Sequence, residues 1–173
     1  MADNWNIDAS HSSVDFKVRH MGISSVKGSF DSFTGTVEME GEELKGVKVT
    51  IDPSSISTKD AQRDGHLKSA DFFDVENHPE IIFESSDVQK LSDDTYKVKG
   101  TLTMRGETKP VEFKAELGES IKDPWGMTRA AASVSGKLNR KDWGLNWNQV
   151  LEAGSLLVSE EVQFNFDVQA VKA

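Results

Sequence analysis

Four histidines are the residues of this chain best suited to proton transfer or metal ligation, and their spacing favours neither. His11, His20, His66 and His78 include no pair three or four residues apart, the separation that brings two imidazoles to one helix face. His11 and His20 flank one extended stretch and stand too far apart along it to share an ion. There is no cysteine, which excludes a thiolate nucleophile, a disulfide framework and a cysteine metal site. Serines are plentiful, but none stands in a Gly-x-Ser-x-Gly elbow or has a histidine and an acid suitably placed. Asp60, Asp64, Asp71 and Asp74 gather around Arg63 and His66. Such a group suits acid–base work. It equally suits a polar network tying an inserted segment to its surroundings, and that is the reading we favour. No catalytic residue, metal or cofactor is assigned, and the chain is expected not to be an enzyme.

The charge balance narrows the partners. A formal net charge of −9 argues against nucleic acid and against an anionic membrane surface. Bulky apolar runs are as short as Leu156-Leu157-Val158, so no membrane-spanning helix is expected. The opening Met1-Ala2-Asp3-Asn4-Trp5-Asn6 shows neither a basic nor an apolar leader region, and a cytoplasmic location is expected. A length of 173 residues suits one domain over 1–173.

The elements that must position any site are strands. Val14, Phe16 and Val18 alternate with Asp15, Lys17 and Arg19; Val47, Val49 and Ile51 alternate with Lys48, Thr50 and Asp52. Val162, Phe164, Phe166, Val168 and Ala170 do the same with the polar residues between them. Successive strand side chains point to opposite faces, so each stretch has one dry face to hide. Eight main strands are predicted over about 13–20, 28–40, 46–52, 80–88, 95–104, 110–118, 127–139 and 157–170. In the long second strand Phe30 is out of phase with Phe33, Val37 and Met39, which predicts a bulge near Asp31-Ser32. Short turns join most strands, so a meander closing into a barrel is expected. Asp123-Pro124-Trp125-Gly126 is one such turn, with its tryptophan expected to cover a barrel end. Residues 58–74 lack the alternation, and a short helix and turn there would lie across one mouth. The fold class is all-β, a sandwich or, as the bulge and long strands favour, a closed antiparallel barrel with a short helical insertion.

An interior of that size is either filled by side chains or holds one small ligand. The inward positions carry Phe16, Phe33, Phe83, Leu102, Met104, Phe113, Leu117, Val134, Leu138, Phe164 and Phe166, together with Gly100, Ala115, Ala130, Ala132 and Gly136. The small residues either leave volume for an apolar ligand or mark bends and accommodate neighbouring rings. His20 shares the face of Phe16 and Val18, as a satisfied core histidine or as a contact to a ligand head group. Arg140 stands in Leu138-Asn139-Arg140-Lys141-Asp142-Trp143-Gly144, which reads as a pinned corner with an aromatic plug or, less simply, as a ligand anchor.

These residues resemble the YceI-like family along the whole chain. Trp5-Asn6-Ile7-Asp8 with His11-Ser12-Ser13-Val14-Asp15-Phe16 is similar to the family's opening, and Val26-Lys27-Gly28-Ser29-Phe30 with Phe33-Thr34-Gly35 to its second strand. Arg63-Asp64-Gly65-His66-Leu67-Lys68-Ser69, Asp71-Phe72-Phe73-Asp74 and His78-Pro79-Glu80-Ile81-Ile82-Phe83 resemble its inserted segment and the strand that follows. Gly100-Thr101-Leu102-Thr103-Met104-Arg105-Gly106 and the Trp143-Gly144 corner are similar to its later motifs, with Trp143 where relatives often have phenylalanine. The resemblance implies an extended eight-stranded antiparallel lipocalin-like barrel with a short helical insertion, which holds a polyisoprenoid or related amphiphilic lipid (quinone or polyprenyl type) and has no defined catalytic site. On that basis the hydrocarbon is expected along Phe16, Val18, Phe33, Phe83, Leu102, Met104, Phe113, Leu117, Val134, Leu138, Phe164 and Phe166. His20 or Arg140 is expected near a head group. The alternatives are a lipid hydrolase or isomerase using His66 and the acidic insertion, and a ligand-free stress-related interaction module. A homodimer is left open.

Overall fold

The computed structural model describes residues 3–20, 24–41, 43–145 and 158–173. Its strands are β1 (Asp3–Ile7), β2 (Ser13–His20), β3 (Ser24–Phe30), β4 (Phe33–Glu40), β5 (Glu43–Ile51) and β6 (Ile56–Ser57). After the helix α1 (Ala61–Lys68) come β7 (Ile81–Lys90), β8 (Thr95–Met104), β9 (Glu107–Leu117), β10 (Ile121–Lys122), β11 (Thr128–Asn139) and β12 (Val158–Lys172). In β8 the alternation is nearly complete: Tyr96, Val98, Gly100, Leu102 and Met104 are buried while the residues between them face outward.

β4, β5, β7, β8, β9, β11 and β12 follow one another as an antiparallel meander. β12 closes it. One edge of β12 pairs along β11, and the other pairs first with β2 and then with β1. β1 and β2 thus lie end to end, and β4 and β3 lie end to end beside them. Each pair acts as one interrupted strand, which gives the closed eight-strand antiparallel barrel.

Two strand assignments change. The single strand expected over 28–40 is two, β3 and β4, because the chain changes partner at Asp31-Ser32 from β2 to β1. The break is held by the turn at Pro53–Ser55: Asp31 N–H donates to the Ser55 carbonyl and Ser32 N–H to Ser55 Oγ. Phe30 and Phe33 both stay buried across it. β1 was not anticipated; its five residues are mostly polar, and its partners lie in β4 and β12.

The turns follow from local chemistry. Arg105 and Gly106 both have positive φ, 52° and 74°, the primed two-residue hairpin that matches strand twist. Asp123 Oδ1 accepts the N–H groups of Trp125 and Met127, each at 2.9 Å, and Gly126 takes φ 82°. That turn points Trp125 outward, 80% exposed, so it does not cover the barrel end as expected. Arg129 anchors the hairpin, its Nε 2.7 Å from Asp123 Oδ2 and its Nη1 2.8 Å from Asp8 Oδ2. α1 is capped by Asp60, whose Oδ1 accepts from the N–H groups of Gln62 and Arg63.

Candidate functional site

The barrel encloses a cavity of about 580 Å³. Of the residues expected on its wall, Phe16 and Val18 of β2, Phe83 of β7, Leu102 and Met104 of β8, and Phe113 and Leu117 of β9 line it. So do Val134 and Leu138 of β11, and Phe164 and Phe166 of β12. Phe33 is not on the wall; it is buried and meets Phe166 edge-on, with ring centroids 5.6 Å apart. Arg140 also lines the cavity. The backbone of His20 pairs with Ser24 and Val158, and its side chain lies outside the described residues.

The inward glycines do not supply the space. A β-carbon on Gly136 would meet the rings of Phe113 and Phe164, and one on Gly28 the ring of Phe16, its register partner. At Gly100 it would strike the backbone of Glu84 and Ser85, where β7 is bulged against β8. These glycines seat rings and a bend; Ala115 and Ala132, by contrast, do line the cavity. Sequence reasoning missed further wall residues, among them Val37, Val49, Val98 and Val168, although they sit in phase on predicted strands, and Ile7 of the unanticipated β1. It also missed Phe30, Phe72 and Phe73 near α1, where no periodicity marks them.

The two ends of the cavity differ. At one end Ile7, Val37, Leu44, Val98 and Leu117 line the cavity, while the inward residues Trp5, Met39 and Tyr96 are buried without lining it. At the other, Thr58, Asp60, Gln62, Arg63, His66 and Leu67 bring α1 and its approach onto the wall. The polar groups there are tied to one another. Asp64 Oδ1 accepts from Thr58 N–H and Oγ1–H, while Arg63 Nε donates to Thr58 Oγ1 at 2.8 Å and Nη2 to its carbonyl at 2.9 Å. His66 Nε2 lies 2.8 Å from Asp71 Oδ2, and its ring meets Phe72 edge-on at 5.2 Å.

Arg140 sits in the turn Arg140–Trp143 that follows β11. It is 4% exposed, donates to the Leu145 carbonyl and stands 5.8 Å from the Phe72 ring centroid. Burial lowers its pKa, and Glu160 opposes that shift. The expected aromatic plug is present: Trp143 is buried and its Nε1–H donates to the Leu102 carbonyl at 2.8 Å. Arg105 spans the same corner, donating to the Gly144 carbonyl at 2.6 Å and to the Ala70 carbonyl at 2.7 Å. It therefore holds together the β8–β9 turn, the corner after β11 and the segment leaving α1. Among the described residues, no group of three or more histidines or carboxylates is placed to hold a metal, and no helix is long and apolar enough to cross a membrane.

Known proteins share this arrangement. Residues 5–170 match the model of the YceI-like domain. UPF0312 protein SA2479 of Staphylococcus aureus (strain N315) is 39% identical over 164 residues, covering 93% of each chain. The crystal structure of the Campylobacter jejuni YCEI protein superposes with a TM-score of 0.79 at 30% identity, covering 96% of each chain. A polyisoprenoid binding domain from Saccharophagus degradans, implicated in plant cell wall breakdown, superposes with a TM-score of 0.76 over 98% of each chain. At 16% identity that last likeness is one of fold.

Proposed function

The chain belongs to the YceI-like domain family, and on that premise we propose that it binds, and so carries or stores, a polyisoprenoid or related amphiphile without acting on it chemically. The observation that carries this is the cavity of about 580 Å³, walled by aliphatic and aromatic side chains from strands all round the barrel. Its charged lining residues come from β2, the α1 segment and the corner at Arg140. An apolar cavity of about 150 Å³ already takes up benzene. Buried hydrocarbon contributes ~0.8 kcal/mol per CH₂, so ten carbons give roughly 8 kcal/mol before the cost of ordering them. The name of the S. degradans neighbour agrees with a prenyl chain. In this reading the chain of the cargo lies along Phe16, Phe83, Leu102, Phe113, Phe164 and Phe166, with its head group near Arg140 and the end of β2 at His20.

The non-enzymatic part of the proposal is supported by what the acids near α1 already do. Asp60 caps the helix, Asp64 holds Thr58, and Asp71 meets His66. The relatives named above carry no enzymatic name. The test is extraction of purified protein with organic solvent, with mass spectrometry of the extract and native mass of the intact protein. A stoichiometric isoprenoid is expected. An empty barrel that also takes up no geranylgeraniol rejects the proposal, and turnover of a lipid ester that disappears in His66→Ala replaces it with a hydrolase.

A further inference from the structure

Two buried polar atoms on the inner face, at the barrel end away from α1, have no hydrogen-bond partner: Trp5 Nε1 and Tyr96 Oη. Tyr96 is 1% exposed and Trp5 5%. Both are on the inner face of the barrel. Tyr96 precedes the wall residue Val98 by two positions in β8, and Trp5 precedes the wall residue Ile7 by two in β1. Neither belongs to the charged rim, which is built from β2, the α1 segment and the Arg140 corner. Among the described residues Arg105 Nε is left in the same way at the β8–β9 turn, whereas the buried Trp143 Nε1–H donates to the Leu102 carbonyl. A buried donor left without an acceptor is costly, and two at one barrel end call for an acceptor there. Met39, two positions on from Trp5's register partner Val37, is buried at the same end.

We infer that this end of the barrel is a second, hydrogen-bonding subsite, which takes an oxygen carried at the inner end of the cargo. The inference rests on the reading of the cavity as an amphiphile site and narrows it. The cargo class becomes a long chain with a head group at the α1 end and a hydroxyl, carbonyl or ether oxygen at the other. Tyr96 can donate or accept, whereas Trp5 only donates, so an acceptor oxygen suits both.

The probes are hexadecanol and hexadecanediol hydroxylated at both ends, with shorter and longer homologues of each. Binding is read by displacement of anilinonaphthalene sulfonate from wild type and from Tyr96→Phe. That substitution deletes one unpartnered oxygen, so the variant is expected to fold, with an unchanged or higher melting temperature without ligand. Wild type should bind the best-fitting diol at least as well as the matching alcohol. Tyr96→Phe should bind the diol about tenfold more weakly and the alcohol unchanged. A wild type that rejects the diol by the same factor as the variant overturns the subsite. So does a crystal structure of the hexadecanol complex with a water on Tyr96 Oη while both alcohols bind both proteins equally. Failure of every alcohol, geranylgeraniol included, to bind wild type overturns the carrier reading and the subsite with it.

Discussion

Phe113 rests against Gly136: a β-carbon on that glycine would stand 2.6 Å from Phe113 Cδ1. The same position would come within 2.9 Å of Phe164 Cε1, and the two rings meet edge-on with centroids 4.5 Å apart. Gly136→Ala must therefore displace an aromatic pair that forms part of the cavity wall. The expected loss is about 1–3 kcal/mol of stability, by urea unfolding. Unchanged stability would mean that the rings are free to move aside.

Ala132 lines the cavity in β11, where a larger side chain would enter open space rather than a packed core. Ala132→Phe is expected to fold with a melting temperature equal to or above that of wild type and to hold about tenfold less extractable lipid. Undiminished lipid content would remove the cargo from this stretch of wall.

Arg105 joins the carbonyls of Ala70 and Gly144 through one guanidinium. Replacing it with methionine keeps the stem and frees both carbonyls. The barrel is expected to survive, while amide exchange near Ala70 and Gly144 accelerates and bound lipid dissociates about tenfold faster. Faster exchange with an unchanged off-rate would show that release does not pass this corner.

Asp8 and Asp123 share Arg129. The Ser10 hydroxyl, followed by Arg129 and His11, holds the Asp8 carboxyl well below its ordinary range, and Arg129 is the main cause of the same shift at Asp123. Carboxyls that ionise more readily folded than unfolded stabilise the protein fully above about pH 4. That contribution is lost as pH falls through their lowered folded values. Asp8→Asn should melt below wild type at neutral pH, and the gap should narrow on acidification below about pH 4. A gap independent of pH would assign the effect of the substitution to something other than charge.

Period-two alternation was enough to read an all-β fold, because in β8, β11 and β12 the pattern runs long, but closure into a barrel rather than a sandwich rested on the family resemblance. The alternation assigns a face but not a height along the barrel. Phe33 shares the inward face with Phe83 and Phe113, yet it packs on Phe166 away from the cavity. Trp5 and Tyr96 are inward and buried too, yet do not line the cavity. β1 escaped notice because Asp3-Asn4-Trp5-Asn6-Ile7 offers two apolar residues, and its pairing depends on strands far along the chain. Trp125 was read from its type alone; its direction is set by the backbone bonds of Asp123. The contacts around Thr58, Arg63 and Asp64 have no periodic signature, so only proximity in sequence hinted at them.

β12 is paired to β11 on one side and to β1 and β2 on the other, and it is synthesised after all three. While the ribosome is still making residues 140–157, the nascent sheet is an open ribbon whose apolar inner face has no opposite wall. The cavity comes into being only when residues 158–172 emerge and join the earliest strands to the latest, the slowest kind of contact to form. No enclosed cavity exists before that closure, so the wall side chains face water or a chaperone until β12 pairs. A chain cut short before β12 is therefore expected to be an aggregation-prone sheet rather than a weaker version of the barrel.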